Sequence, residues 1–193
     1  MFIFFKKCFD YLYLKIKGIE TQFGYVRLLG LPIIKKCPGS LIKLGKGVTL
    51  VSESKYNIAG INHPVIISTL TKEAEIIIGD FCGFSGTSIV AANSVIIKSK
   101  TMFGVNTGIY DTDFHVVDEK NRVKNNNFKN VKSKPVNIGK NVWLGANVLV
   151  LKGVAIGDNS VAGANSLICK NVKENELVAG NPAKFIRKIL IDK

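Results

Sequence analysis

At 193 residues, with 47% hydrophobic side chains, the chain is long enough for one domain with a buried core. Twenty-seven Lys and Arg against 14 Asp and Glu leave a net charge of +13, which points to an anionic ligand or surface. The cations are scattered and accompany no nucleic-acid motif, so nucleic acid is excluded as a partner. Cys8, Cys37, Cys82 and Cys169 stand far apart with no CxxC pair, which predicts reduced thiols in a reducing compartment and no thiol-bound metal.

The first candidate element is Met1–Lys17, MFIFFKKCFDYLYLKIK. Lys6, Lys7, Asp10 and Lys15 interrupt its apolar runs and no small-residue cleavage site follows, so it reads as neither a membrane span nor a signal peptide. The first expectation is an amphipathic helix closing one end of the fold. The second is an interfacial helix with Phe2, Phe4, Phe5, Tyr11 and Tyr13 at a lipid headgroup boundary. The chain is expected in the cytoplasm, at the inner face of the membrane under the second reading. Gly18–Ser40, punctuated by Gly24, Gly30, Pro32 and Pro38, reads as a connector, so residues 1–40 form a leading unit and residues 41–193 the main domain.

A six-residue period governs that domain. It begins imperfectly with LGKGVT at Leu44 and LVSESK at Leu50, is lost between Tyr56 and Thr71, and returns from Ile78 as IGDFCG, FSGTSI and VAANSV. One residue inserted after the Val90 unit reads as a bulge, and Ile97, Phe103 and Ile109 continue the frame. From Ile138 six units follow unbroken: IGKNVW, LGANVL, VLKGVA, IGDNSV, AGANSL and ICKNVK. A branched or small apolar residue opens each, at Ile138, Leu144, Val150, Ile156, Ala162 and Ile168, and Val or Ser holds the fifth place. Six fits neither the 3.6-residue helix nor a two-faced strand. Three units make one turn of a triangular solenoid, with the opener inward, the fifth residue in the corner and Gly or Asn at the bend. The predicted fold is mainly β, a parallel β-helix with a short N-terminal helix.

Two stretches leave this frame. Val116–Lys134, VVDEKNRVKNNNFKNVKSK, is polar and rich in Asn and Lys, and reads as a loop leaving the coil; loops of that length usually carry function. The tail, GNPAKFIRKILIDK, offers Asn181 as an N-cap, Pro182 at a first helical position, and Phe185, Ile186, Ile189 and Leu190 at helical spacing. It predicts a C-terminal helix.

Of the two histidines, His115 stands where the repeat stops, at a position that should open a new unit with an apolar residue. An imidazole, with an ordinary pKa of ~6.5, is suited to take the proton of a hydroxyl nucleophile at neutral pH. His63, in Asn62-His63-Pro64, reads first as a histidine fixing a turn and second as part of an acceptor site.

The strings DTDFH (Asp111–His115), GFSG (Gly83–Gly86), VWLGA (Val142–Ala146) and AGNPAK (Ala179–Lys184), set on the six-residue frame, resemble the hexapeptide-repeat acyltransferases, in particular the sugar and polysaccharide O-acetyltransferase branch. The resemblance implies a left-handed coil, against the usual right-handed crossover rule. It implies a homotrimer with each cleft between two subunits, acetyl-CoA as co-substrate without a metal, and His115 as general base in direct transfer to a hydroxyl. Ser85 would face the acceptor and the oxyanion, and Asp113 would hold the imidazole, contact the acceptor or cap the turn. Ala146 and Ala164 would offer backbone N–H groups to the pantetheine arm. Cys169 and Lys170 would lie near the adenosine phosphates, and Lys184 and Arg187, one helical turn apart, near the ribose phosphate and pyrophosphate. Rival readings are serine or sugar-nucleotide N-acyl transfer on the same coil, a zinc hydratase needing three imidazoles, and a non-catalytic scaffold.

Overall fold

In the computed structural model, which describes residues 2–118, 120 and 130–190, a helix is followed by a three-sided parallel coil. After α1 (Phe2–Ile16) the first turn is β1 (Val26–Leu29), β2 (Ile33–Lys35) and β3 (Leu41–Leu44), and the second β4 (Val48–Val51), β5 (Ile66–Thr69) and β6 (Glu75–Ile78). The third is β7 (Gly83–Ser85), β8 (Ser88–Ala91) and β9 (Ser94–Ile97); the fourth is β10 (Met102–Phe103), β11 (Gly108–Tyr110) and β12 (Val136–Ile138). The fifth is β13 (Trp143–Leu144), β14 (Leu149–Val150) and β15 (Ala155–Ile156), and β16 (Val161–Ala162) and β17 (Leu167–Ile168) begin a sixth. The chain ends in an antiparallel ribbon of β18 (Glu176–Ala179) and β19 (Lys184–Lys188). First, second and third strands of successive turns stack in register as three flat faces of eight, six and five strands, the ribbon completing the first.

The six-residue pattern becomes burial directly. All six predicted openers from Ile138 to Ile168 are buried, as are the fifth-place residues Val142, Val148, Val154, Ser160, Ser166 and Val172. Corner chemistry takes two forms. Asn147 and Asn165 hold the bend at φ 56° and 58°, and Asn147 Nδ2 donates to Asn165 Oδ1 at 3.1 Å, so successive corners are tied by side-chain amides. Gly145 answers a different need: a Cβ there would lie 2.7 Å from the backbone nitrogen of Ala164 in the next turn.

Three expectations change. The tail is a strand, not a helix: Gly180, at φ 105°, turns the chain back, and β19 pairs with β18, whose free edge would otherwise carry unpaired backbone groups. The spacing of Phe185, Ile186, Ile189 and Leu190 is overridden by that tertiary demand. The first two strands of the coil, β1 and β2, already lie within Gly18–Ser40, with Gly30 and Pro32 in the corner between them. Around Val90 the frame is shifted: Ile89 and Ala91 point inward, because the corner before β8 is one residue shorter than the corresponding corner before β11.

The helix α1 closes the open N-terminal end. Leu14 joins the core, and Tyr13 Oη donates to the Pro32 carbonyl at 2.6 Å. At Leu28 in edge strand β1, Lys6 Nζ donates to the carbonyl oxygen at 2.7 Å, and the N–H donates to Asp10 Oδ2 at 3.2 Å. Lys6 and Asp10 also pair with each other at 2.8 Å.

Candidate active site

The predicted residues gather on the two edges of the second face. One is the corner where the second face meets the third. Here Asp111, at the end of β11, is fully buried, and its carboxylate accepts the N–H groups of Ala92 and Asn93, each at 2.7 Å. Burial raises its carboxyl pKa, and those backbone bonds oppose the shift. The excursion leaves through a narrow neck: the Asp113 N–H donates to the Lys132 carbonyl at 3.1 Å and the Lys134 N–H to the Asp111 carbonyl at 2.8 Å. Most of the predicted loop, residues 119 and 121–129, lies outside the described residues.

His115 stands just beyond the neck, exposed rather than turned into the coil. Its N–H donates to the Asp113 carbonyl at 2.7 Å, closing a three-residue turn around Phe114, which has φ 61°. A left-handed conformation costs a bulky residue about 1–2 kcal/mol, so the fold sustains strain at the histidine's own turn. The Phe114 ring packs edge-on against Tyr110 at 5.3 Å and anchors that turn to β11. Asp113 is turned to Lys152 in the next turn of the coil, Oδ1 to Nζ 2.5 Å. Cys169 and Lys170 occupy the same corner one turn further and are exposed. Lys152 was not among the predicted residues; its mark in the sequence is the Lys-Gly of VLKGVA at the corner beside the excursion.

The other edge is the corner between the first and second faces. Ser85 ends β7 here, and its hydroxyl accepts a bond from Asn57 Nδ2 at 3.0 Å, leaving its own proton to donate. His63 lies on the excursion between β4 and β5, beside Gly86, whose added Cβ would come 2.9 Å from the His63 carbonyl oxygen. Its ring Nδ1 lies 2.8 Å from the Pro64 carbonyl, which only accepts, so Nδ1 carries a proton and donates it there. A groove of about 340 Å³ opens beside it, lined by Ser52, Lys55, Ile61 and Asn62 among others.

Below Ser85 on this edge come Ala146 and Ala164 on successive turns, roughly 4.8 Å apart along the coil. Among the described residues neither of their backbone N–H groups has a hydrogen-bond partner. Lys184 follows on the ribbon, paired with Ala179, and Arg187 pairs with Leu177. The register shift between Leu177 and Val178 puts the two cations on the same side of the ribbon, where a regular strand three residues on would reverse them.

The structure thus brings His115, Asp113, Cys169 and Lys170 to one edge, and His63, Ser85, Ala146, Ala164 and Lys184 to the other. About four residues of extended chain, roughly 13 Å, separate them. Within one copy the two histidines stand on opposite edges of the second face.

Residues 135–170 match the family model described as the hexapeptide repeat of succinyl-transferase. A Saccharomyces cerevisiae protein provisionally named an acetyltransferase is 38% identical over 117 residues, covering 60% of this chain and 57% of the relative. The matches span between 29% and 57% of the lengths of this and three further curated relatives. Among solved structures, AntD, an N-acyltransferase from Bacillus cereus solved with dTDP and 3-hydroxybutyryl-CoA, is 20% identical with a TM-score of 0.70, covering 93% of this chain and 88% of its own. A hexapeptide-repeat containing acetyltransferase from Vibrio cholerae, solved with acetyl coenzyme A, is 28% identical over 62% of each chain with a TM-score of 0.52. The coil shares the left-handed parallel β-helix fold of these acyltransferases.

Proposed function

We propose that this hexapeptide-repeat chain is an acetyl-CoA-dependent O-acetyltransferase acting on a hydroxyl of a sugar or surface polysaccharide, with His115 as general base. The observation that carries the reading is an accessible imidazole held by a strained turn at the neck of an excursion, in a coil of the acyltransferase fold. The split of the candidate residues over two edges supports a site made between two copies, in a homotrimer. The His115 edge of one copy would face the Ser85–Ala146–Ala164 edge of its neighbour.

The Ala146 and Ala164 edge fits the donor molecule. Two unpaired N–H groups on adjacent turns suit the amide carbonyls of a pantetheine arm, and Lys184 and Arg187 at the foot of that track suit its phosphates. Bound acetyl-CoA supplies the thioester whose acetyl group is moved. His115 takes the proton of the acceptor hydroxyl as its oxygen attacks, and returns it to the departing sulfur. The Ser85 hydroxyl donates to the oxyanion. The Asp113–Lys152 pair holds the neck from which His115 projects.

N-acylation of an amine on a nucleotide sugar is the second reading. The exposed Lys120, Lys132 and Lys134 at the described ends of the excursion favour it, since they would suit an anionic nucleotide.

The full chain should be incubated with acetyl-CoA and a panel of glycans, amino-sugar nucleotides and serine, following thiol release and product mass. An acetylated glycan that loses its acetyl group to hydroxylamine supports the first reading. A hydroxylamine-stable product on an amine supports the second. No thiol release above that of the His115→Ala chain with any acceptor overturns both.

A further inference from the structure

α1 buries Leu14 against the coil and also turns an apolar stripe away from it. Phe5, Phe9, Leu12 and Ile16, spaced by four, three and four residues, are 64%, 56%, 59% and 74% exposed. At 100° per residue they fall in one stripe about 60° wide. The side turned to the coil carries Asp10 and Leu14, 3% and 1% exposed. The stripe is therefore available for something outside the chain.

Three observations identify the occupant. The stripe lies on the closed end of the coil, away from the three flat faces, so copies packed side by side through those faces would not cover it. Every exposed charge on residues 4–17 is positive, namely Lys6, Lys7, Lys15 and Lys17, because the one acid, Asp10, is consumed at Leu28. A second copy laid on the stripe would bring these like charges together, whereas an anionic surface would be attracted by them. Past the helix the exposed Leu31 and Tyr56, with Phe5 and Phe9, line a groove of about 410 Å³ that also holds Glu53, whose carboxylate is paired with Lys55.

We infer that the outer face of α1 docks this protein flat on an anionic lipid surface, with Phe5, Phe9, Leu12 and Ile16 entering the headgroup boundary and Lys15, on the flank of that stripe, meeting lipid phosphates. The helix is 15 residues, roughly 22 Å, shorter than the ~30 Å hydrocarbon core, so it lies along the surface and does not cross it. The inference goes beyond acetyl transfer and does not depend on it. If acyl transfer acts on a membrane-borne glycan, docking by the closed end would leave both long edges of the coil reaching away from the lipid.

The test is sedimentation of the full chain with vesicles of phosphatidylglycerol and phosphatidylcholine, or of phosphatidylcholine alone, at low and physiological salt. The chain should pellet with the anionic vesicles. The Phe9→Ser/Leu12→Ser and Lys15→Glu variants should each lower the partition constant by about tenfold or more, with unchanged melting temperature and solution mass. Three results overturn the inference: the native chain stays in the supernatant at low salt, the Phe9→Ser/Leu12→Ser variant binds like the native chain, or that variant loses mass by light scattering. The last would assign the stripe to a second copy.

Discussion

The Lys152 ammonium lies 2.5 Å from the carboxylate of Asp113, joining the neck of the excursion to the next coil turn two residues before His115. Both side chains are about a quarter exposed or less, so screening only partly weakens the pair. Lys152→Met should let the neck relax and lower kcat by about tenfold, less than loss of the base itself. KM for acetyl-CoA should stay within about twofold, since the Lys152 ammonium is engaged by Asp113. Steady-state thiol release checks both, and an unchanged kcat refutes the coupling.

His115→Ala should lower turnover by roughly 10²–10⁴-fold while leaving the melting temperature unchanged, because the ring is accessible and packs against nothing in the core. A variant that loses stability in step with activity would point to a structural histidine.

Burial raises the Asp111 carboxyl above its ordinary value. The protonated form is therefore favoured by the fold, and the stability it contributes is lost as pH rises from the unfolded value of ~3.9 through the higher folded one. The Asp111→Asn chain lacks this titration, so native minus variant melting temperature should be larger at about pH 4 than at about pH 7. Scanning calorimetry at the two pH values reads the sign directly.

Two glycines separate crowding from chain entropy. Gly145→Ala forces a Cβ to within 2.7 Å of a backbone nitrogen of the adjoining turn and should destabilise the coil by about 2 kcal/mol or more. Gly83→Ala, in β7, meets nothing within 4 Å and should be neutral or stabilise by about 0.5–1 kcal/mol. Denaturant midpoints of both variants decide.

Lys184→Ala and Arg187→Ala should each raise KM for acetyl-CoA by about fivefold with kcat unchanged, as expected for an exposed ion pair of ~1 kcal/mol. Because the ribbon puts both on one side, the charge-conserving Lys184→Arg should keep most of the affinity. An isothermal titration with coenzyme A reads the same effect without turnover.

The coil from Ile138 to Val172 was legible residue by residue because each unit must satisfy the same corner and the same stacking contact, so physics repeats its signature. Where the chain answers to a single local demand, the signature disappears. Val90 was misread because two corners of different length leave a nearly normal spacing. β1 and β2 escape the six-residue pattern because the first turn has no preceding turn to copy. The tail has the spacing of a helix but the duty of an edge partner, which no local pattern encodes. In the site, His115 announced itself by interrupting a repeat, whereas Lys152 fits its corner well enough to look ordinary. That the candidate residues divide over two edges follows from which strand each one ends, and only the register reveals it.

A stack of parallel strands has no intrinsic last member, since each turn is a template for another. Here growth is halted differently at the two extremities. At one, Lys6 and Asp10 occupy the carbonyl and amide of Leu28 that a newcomer would need. At the other, β19 runs backwards and offers an incoming parallel turn no matching register. Chains stripped of α1 should therefore join two at a time through their bared β1 edges and go no further, since the ribbon end stays blunt.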